Sequence, residues 1–229
     1  MQESPADWPA LAIFAVSLIA LLRFKLNPPW LIVGARIADG YSGEDVQRRR
    51  NRARRNNRDL EDEMSGVEIR LAERRDLPRL TEIYNYYVVN TPVTFDVEPY
   101  TVERRQAWFD QFAPTGRYRL LVAENDGVVI GYAGTTRFRP KVAYETTVET
   151  TIYCAPDAVG KGIGKRLYAA LFEALRGEDI HRFVAGYALP NPATAAIHER
   201  FEFKVAGVFS ENGRKFVRYW DVCWVERAA

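Results

Sequence analysis

The chain has 229 residues, 47% of them apolar, so it is long enough for one ordinary globular domain with an extension. This composition excludes disorder of the whole chain. The formal net charge is only +2, although seven arginines crowd residues 48–58. The two cysteines, Cys154 and Cys223, lie far apart without Cys-x-x-Cys spacing, and only His181 and His198 could add imidazole ligands. A disulfide scaffold and a metal site are therefore not expected, and a reducing compartment is favoured.

Residues 1–38 contain an apolar run, Ala10–Leu22, that would span only about 20 Å as a helix, against a hydrocarbon core of about 30 Å. It reaches the required length only if residues 8–26 insert and Arg23 and Lys25 lie at the interface. Acidic residues in "MQESPADWP" argue against a cleaved signal peptide. The stretch "LLRFKLNPPWLIVGARIADG" resembles the last hydrophobic segment of chromate-type ion transporters. Membrane association is therefore expected only through residues 8–37, with the arginines after them keeping the rest cytoplasmic.

Residues 39–63 form an arginine-rich segment without apolar periodicity. A patch for nucleic acid or anionic lipid is one interpretation, and a solvated, disordered linker is the favoured one. Met64 is the only methionine besides Met1 and stands where foldable sequence begins. Two explanations of residues 1–63 stay open: a transporter remnant with a linker, or a translation start placed too far upstream. The folded domain is expected to be residues 64–229.

From Met64 onward, apolar spacing predicts a series of strands and helices. Thr101 is a plausible N-cap, and the Asp-Gly pair in "ENDG" predicts a hairpin. The predicted strands are 67–72, 118–123, 128–137, 147–154, 183–187, 205–209 and 219–225, and the predicted helices are 76–90, 101–112, 162–176 and 193–200. This order predicts a mixed α/β fold of the α+β kind: a mostly antiparallel central sheet, flanked by helices, with one strand-loop-helix-strand crossover.

The stretch "VGKGIG", Val159–Gly164, opens the third predicted helix. A Walker A loop is excluded because Arg166 stands where Ser or Thr is required, and a Rossmann fingerprint lacks its third glycine. The remaining Gly-x-Gly turn can aim backbone N–H groups and a positive helix end at a pyrophosphate, and Lys161, Lys165 and Arg166 add positive charge. A tight turn that binds nothing is the alternative interpretation.

Five stretches of the chain follow one another in a characteristic order: "IRLAERRDLPRLTEIYNYYVVNTPVTFD", "AYETTVETTIY", "GKGIGKRLYAAL", "ALPNPATAAIHERFEF" and "GRKFVRYWDV". Together they resemble the GNAT superfamily of acyl-CoA N-acyltransferases, and more narrowly its phosphinothricin and methionine sulfoximine acetyltransferase group. The resemblance covers residues 64–229. It implies acetyl-CoA as co-substrate, a small L-amino acid or analogue as acceptor, and a homodimer.

The resemblance also implies where acetyl-CoA binds. The main chain of Ile152, Tyr153 and Cys154 would pair with the pantetheine arm. Asn191 and, less directly, Arg200 would contact the cofactor beyond the crossover strand. One departure is Val159, where the superfamily usually has Gln or Arg, so one side-chain phosphate contact is expected to be missing. The pyrophosphate cradle would be Val159, Gly160, Lys161, Gly162, Ile163 and Gly164.

Glu149 matches the group's general base, and His198 matches a histidine proposed to act in proton transfer. Such a base is needed because an amino-acid amine is mostly ammonium at neutral pH, and only the neutral amine attacks a thioester. Strand alternation puts Glu149 on the face opposite Val148 and Thr150. By the same resemblance, the substrate-binding residues would be Phe95, Arg139, Lys141 and Tyr144.

Several alternatives remain open at this point. Cys154 could accept the acyl group as a nucleophile, although direct attack needs no such intermediate. The acceptor could be another amine, such as a peptide N-terminus or a polyamine, although a polyamine site calls for acids where this chain has Arg and Lys. The domain could bind acyl-CoA without catalysis, or it could be the cargo of an arginine-rich tether.

Overall fold

The computed structural model describes residues 66–229. The predictions made for residues 1–63 lie outside this part of the chain, and the boundary at Met64 stays a prediction. Each predicted strand and helix of the folded domain is present, and the mixed, mostly antiparallel α/β fold is confirmed. Thr101 caps its helix as expected, since its side chain accepts a hydrogen bond from the Arg104 N–H at 3.2 Å.

Within residues 66–229, seven strands and four α-helices follow one another in the order that the sequence predicts. The strands are β1 (Val67–Leu71), β2 (Leu120–Asn125), β3 (Val128–Arg137), β4 (Thr147–Cys154), β5 (Arg182–Ala188), β6 (Lys204–Lys215) and β7 (Arg218–Ala228). The helices are α1 (Leu77–Asn90), α2 (Val102–Phe109), α3 (Ile163–Ala174) and α4 (Pro192–Arg200). Short 3₁₀ turns at Arg74–Asp76, Val142–Tyr144 and Pro156–Ala158 join some of them.

All seven strands lie in one sheet in the order β1-β2-β3-β4-β5-β7-β6. Every neighbouring pair is antiparallel except β4 and β5, which are parallel and joined through α3. The crossover therefore places α3 between the two strands that form the only parallel pair of this sheet.

The parallel pairing of β4 with β5 is short. It covers only Thr147 with Arg182, Val148 with Phe183 and Glu149 with Val184. Beyond Glu149, β4 stays paired with β3 as far as Cys154, and β5 stays paired with β7 as far as Ala188. The two strands therefore separate just after Glu149, and the edge of β4 from Thr150 to Cys154 faces a gap instead of a neighbouring strand.

Helices cover the two faces of the sheet differently. On one face, the Tyr168 hydroxyl of α3 lies 3.5 Å from Thr150 Oγ1, and α3 packs on β1 to β4 in the main core. On the other face, Tyr84 of α1 packs edge-on against Tyr153 and Trp108 of α2 packs against Tyr132. Because Tyr153 and Glu149 are four residues apart on one strand, Glu149 points to the α1 and α2 side.

The end of β6 is fastened to the loop that follows α1. The buried Lys215 ammonium donates to the Thr94 carbonyl at 2.8 Å, and the Phe95 ring packs on Gly213. A Cβ atom at Gly213 would lie 2.2 Å from Phe95 Cζ, so only glycine fits beneath this ring. The loop and the last hairpin are therefore held together by a contact that tolerates no side chain.

We expect Gly213→Ala to lower the free energy of unfolding by about 1–3 kcal/mol, as for other overpacked sites, because the Phe95 ring must move. Gly207→Ala on the same strand is the matched control, since a Cβ atom there meets nothing within 4 Å. Urea unfolding of both variants measures the difference. Equal stability of the two variants would contradict the packing described here.

Candidate active site

A cavity of about 310 Å³ lies between β4 and the α1–α2 side of the domain, at the small end of the range for small-molecule sites. Its chemistry is a mixture of aromatic rings and a few polar groups of both charges. A larger cavity of about 490 Å³ next to β1 contains none of the predicted site residues. The smaller cavity is lined by Tyr84, Val93, Thr94, Asp96, Tyr100, Arg105, Trp108, Tyr132, Glu149, Thr151 and Tyr153.

Glu149 is the predicted base, and it lies in this cavity at the point where β4 leaves β5. Burial raises the pKa of its carboxyl group above the usual range, and no other cause contributes. Within residues 66–229 the carboxylate has no ion pair or hydrogen bond. A carboxylate kept from water and from cations is a stronger base than an exposed one, which suits proton abstraction near neutral pH.

The aromatic wall of the cavity surrounds a cation that the sequence analysis missed. The Arg105 guanidinium lies 4.1 Å from the Tyr84 ring centroid and 4.0 Å from that of Trp108. Only 4% of Arg105 is exposed. The available signal was its spacing on α2, three residues after Val102 and three before Trp108, which puts it on the inward face of the helix.

Next to Arg105, polar groups of the loop after α1 form a hydrogen-bonded edge. The Tyr84 hydroxyl donates to Asp96 Oδ2 at 2.5 Å and lies 2.7 Å from Thr94 Oγ1. Burial and these neighbours raise the pKa of Tyr84 far above its usual range, so its hydroxyl keeps its proton. Asp96 is thus held as an acceptor at the rim.

His198, the second predicted catalytic residue, lies on the other side of the sheet from Glu149. Its Nδ1 is 2.8 Å from the Thr194 carbonyl, its Nε2 is 3.2 Å from the Tyr168 hydroxyl, and its ring stacks on Tyr187. Burial lowers its pKa. A carbonyl can only accept, so Nδ1 carries the proton and Nε2 accepts from Tyr168. The structure does not bring His198 to the Glu149 cavity, and its catalytic role stays a prediction.

The predicted cofactor loop has the backbone of an anion site. Gly160 and Gly162 both have φ of +83°, a conformation that favours glycine, and they turn the chain into α3. No side chain caps the start of α3, so the N–H groups of its first turn have no partner within the helix. A phosphate placed there meets these donors and the positive end of the helix dipole. Val159 is exposed at the loop surface.

Two residues near this loop contact neighbouring parts of the domain. A Cβ atom at Gly164 would lie 3.0 Å from Ile197 Cδ1 and 3.2 Å from Ile152 Cδ1, so this glycine lets α3 approach α4 and β4. The Arg166 side chain points back to β1 and donates to the Val67 carbonyl at 2.5 Å. The positive charge expected from Arg166 is therefore directed away from the loop.

The remaining predicted cofactor residues flank the gap between β4 and β5. Ile152, Tyr153 and Cys154 lie on the unpaired edge of β4, and the Cys154 carbonyl accepts from the Tyr87 hydroxyl at 2.6 Å. Asn191 caps α4, with its Oδ1 accepting from the Thr194 N–H at 3.1 Å, which leaves its amide NH₂ group for other acceptors. Arg200 is exposed in the last turn of α4.

Burial raises the pKa of the Cys154 thiol to about 11. Because the thiolate is the nucleophile, very little of the reactive form exists near pH 7. The geometry therefore favours direct attack of an amine over an acyl-cysteine intermediate.

The four predicted substrate residues are not brought together. Arg139 and Tyr144 line a second cavity of about 290 Å³, on the same face of the sheet, that also contains Thr147. The Arg139 guanidinium lies over the rings of Phe138 and Tyr144, at 4.9 Å and 5.6 Å. Lys141 is exposed, and Phe95 packs on Gly213 outside both cavities. Arg139 and Tyr144 thus do not line the Glu149 cavity, although their own cavity contains Thr147, two residues before Glu149 on β4.

A sheet whose only parallel strand pair separates beside a glycine turn and a helix N-terminus, with a partly buried carboxylate at the point of separation, is the arrangement that the resemblance to acyl-CoA N-acyltransferases implies. The profile of the acetyltransferase (GNAT) domain family matches residues 69–224. The chain therefore belongs to the GNAT acetyltransferase family, and it is an N-acetyltransferase.

Similar proteins narrow the comparison further. The chain is 51% identical over 163 residues to a phosphinothricin N-acetyltransferase of Streptomyces coelicolor, covering 70% of this chain and 95% of that protein. It is 36% identical over 158 residues to an L-methionine sulfoximine/L-methionine sulfone acetyltransferase of Pseudomonas paraeruginosa, covering 69% and 92%. Among solved structures, the chain resembles a phosphinothricin acetyltransferase from Sinorhizobium meliloti in complex with acetyl-CoA. The TM-score is 0.67 and the sequence identity 31%, and the match covers 71% of this chain and 88% of that chain.

None of the helices within residues 66–229 combines the length and apolar character that a membrane crossing requires. In the same part of the chain, no three His, Cys, Asp or Glu side chains gather in a way that would hold a metal ion.

The raised pKa of Glu149 has a consequence for stability. The pKa of Glu149 is higher in the folded state than in the unfolded state. The free energy of unfolding therefore decreases as the pH rises from the unfolded pKa to the folded pKa. The loss of stability is complete above the folded pKa and absent below the unfolded pKa. We expect Glu149→Gln to melt a few degrees higher than the wild type at pH 8, because Gln carries no charge to desolvate. The difference should shrink toward pH 4.

Melting curves between pH 4 and pH 8 measure this difference. Glu98→Gln, at an exposed carboxylate, is the matched control and should follow the wild type at each pH. A Glu149→Gln variant that is less stable than the wild type at pH 8 would show that the carboxylate makes a favourable contact instead.

Proposed function

We propose that this protein transfers the acetyl group of acetyl-CoA to the α-amino group of a small L-amino acid or analogue, of the phosphinothricin, methionine sulfoximine or methionine sulfone kind. The observation that carries the proposal is Glu149. Its partly buried carboxylate makes no ion pair within the described chain, and it lies in a small cavity beside the gap between β4 and β5. The names of the similar proteins supply the substrate class.

The residues around the gap fit acetyl-CoA. The unpaired edge at Ile152, Tyr153 and Cys154 can hydrogen-bond to the pantetheine amides as a missing strand would, and residues 159–164 can cradle the pyrophosphate. The Asn191 amide is a further donor beside the gap, and the exposed Arg200 is the weaker candidate. When bound there, acetyl-CoA supplies an activated acetyl thioester.

In the proposed reaction, the Glu149 carboxylate takes a proton from the substrate ammonium, directly or through water, and leaves a neutral amine. The amine nitrogen then bonds to the thioester carbonyl carbon, the carbon–sulfur bond breaks, and coenzyme A leaves as a thiolate that takes up the surplus proton of the nitrogen. The backbone N–H groups on the free edge of β4 face the same gap and can stabilise the developing oxyanion. The high pKa of Cys154 argues for direct attack. Proton transfer by His198 would require the ring to give up its bonds to Thr194 or Tyr168.

The predicted substrate residues Arg139 and Tyr144 are proposed to contact the far end of the acceptor, because their cavity contains Thr147, which lies two residues before Glu149 on the same face of β4. Lys141 is proposed to add charge at the entrance, where it is exposed. Phe95 supports the loop that carries Thr94 and Asp96 through its packing on Gly213, so its contribution to the pocket is proposed to be indirect.

Thiol release from acetyl-CoA by the full-length protein tests the reaction. We expect turnover with phosphinothricin, methionine sulfoximine or methionine sulfone, and none with spermidine or a peptide N-terminus. Glu149→Gln should lower kcat/KM by about 10²- to 10⁴-fold, the usual contribution of a general base. In the wild type, activity should fall as the pH drops through the raised pKa of Glu149, because the protonated carboxyl group cannot accept a proton.

Glu98→Gln serves again as the control and should keep full activity. Turnover confined to spermidine or the peptide would move the assignment to another amine. Binding of acetyl-CoA without turnover of any amine, together with no effect of Glu149→Gln, would indicate a module that binds acyl-CoA without catalysis.

We also propose that the protein forms a homodimer in the cytoplasm. Support comes from large apolar side chains exposed on β6, β7 and the turn between them, which a second copy could cover. They are Val205, Val208, Phe209, Phe216, Val217 and Tyr219.

Light scattering should give about twice the chain mass of 26.2 kDa. Val208→Glu should shift the protein toward the monomer, whereas Val128→Glu, at a similarly exposed position on β3, should not. A wild-type mass of one chain at micromolar concentration would contradict the dimer.

A further inference from the structure

Arg105 is a buried cation whose charge no carboxylate of the described chain neutralises. It is 4% exposed, and its Nε atom has no hydrogen-bond partner. Its contacts are the faces of Tyr84, Trp108 and Tyr100, at 4.1 Å, 4.0 Å and 5.6 Å. Buried guanidinium groups are normally paired, because the desolvation of an unpaired charge costs several kcal/mol.

A second unsatisfied polar group lies in the same cavity. The Tyr132 hydroxyl is buried next to the Arg105 guanidinium, and its own proton has no acceptor within residues 66–229. Tyr132 lines the cavity together with Arg105 and Glu149. Burial raises the pKa of Tyr132 far above its usual range, so the hydroxyl is a donor as well as an acceptor. Two donors without acceptors in one small cavity call for an anionic oxygen ligand.

Asp96 is the other carboxylate that lines the cavity, and it does not fill this role. It accepts a hydrogen bond from the Tyr84 hydroxyl, and no ion pair joins it to Arg105 within residues 66–229. Glu149 is likewise without an ion pair in this part of the chain. The charge of Arg105 is therefore left for a ligand.

We propose that Arg105 binds the α-carboxylate of the acceptor amino acid, with the Tyr132 hydroxyl as a second donor. This inference rests on the proposed function, and it assigns a specificity residue on α2. In an α-amino acid the ammonium and the carboxylate are attached to one carbon atom. A cavity of about 310 Å³ that contains both Glu149 and Arg105 can hold the two groups together, each beside a side chain of opposite charge.

The aromatic contacts of Arg105 explain how the free site tolerates the charge. Guanidinium groups stack on aromatic faces through cation–π attraction, which stabilises them without using their N–H donors. The rings therefore hold the guanidinium plane in place and leave its N–H groups available to a ligand. A residue needed only for packing would not require a charge at this position.

The test compares two acceptors that differ by the carboxylate alone: L-methionine sulfone and 3-(methylsulfonyl)propylamine. In the full-length wild type, kcat/KM should be much higher for the amino acid. Arg105→Gln should reduce that preference by about 10- to 100-fold, the value of a charge-assisted hydrogen bond, and mainly through KM for the amino acid. Arg105→Lys should reduce it less, because it keeps the charge but not the planar donor pair.

Arg104→Gln is the matched control. The Arg104 guanidinium lies 5.1 Å from the centroid of the Tyr100 ring and lines neither cavity. This variant should leave the preference for the carboxylated acceptor unchanged. Melting temperature and acetyl-CoA affinity identify a variant that has lost its fold. If both Arg105 variants fail to fold, Tyr132→Phe, which removes the second proposed donor without changing the shape of the side chain, should lower the same preference, and an unchanged preference would count against the inference.

Two results would overturn the inference: a wild type that does not prefer the carboxylated acceptor, or an Arg105→Gln variant that loses the same factor with both acceptors. The second result would show a purely structural residue. If neither acceptor is turned over while a peptide or spermidine is, the proposed function itself fails, and that outcome is distinct from the loss of the Arg105 assignment.

Discussion

The site depends on one feature of the backbone: the hydrogen bonding between β4 and β5 stops after Glu149 and Val184. Up to that point the two strands share a ladder, and beyond it each keeps only its other neighbour. Unpaired backbone groups of a strand are costly when buried and readily pair with an extended ligand. The separation therefore creates an edge that a pantetheine arm can occupy, and it places Glu149 at the beginning of that edge.

Strand alternation then divides the chemistry between the two faces of the sheet. Val148 and Thr150 point into the core below α3, while Glu149, Thr151 and Tyr153 point to the cavity below α1 and α2. Burial on the cavity side raises the pKa of Glu149, and on the opposite side burial lowers the pKa of His198. The same physical cause thus makes the carboxylate a better base and keeps the imidazole neutral.

Most of the fold was predictable because strand and helix periods are local properties of the sequence. The misses lie where distant contacts decide. Helix α2 ends at Phe109 instead of Phe112, because a tighter turn follows and Pro114 disfavours helix before it. Strand β6 continues through an irregular register to Lys215, held by Thr94 and Phe95. The four predicted substrate residues are not brought together for the same reason, since a motif does not show which loops meet.

Arg105 shows where sequence reasoning about electrostatics ends. A charge run such as "VERRQAWF" looks solvated. The spacing of Arg105 indicates the inward face of α2, but the packed rings of Tyr84 and Trp108 are needed to show that Arg105 is buried while Arg104 is exposed. Within residues 66–229, the cavity thus contains one partly buried carboxylate, Glu149, and one buried cation, Arg105, that are not paired with each other. Two separated opposite charges in a shielded site complement a zwitterionic ligand better than a singly charged ligand. Each charge of the zwitterion pairs with one charged side chain of the site, and this pairing offsets the desolvation cost that the side chain bears in the free protein.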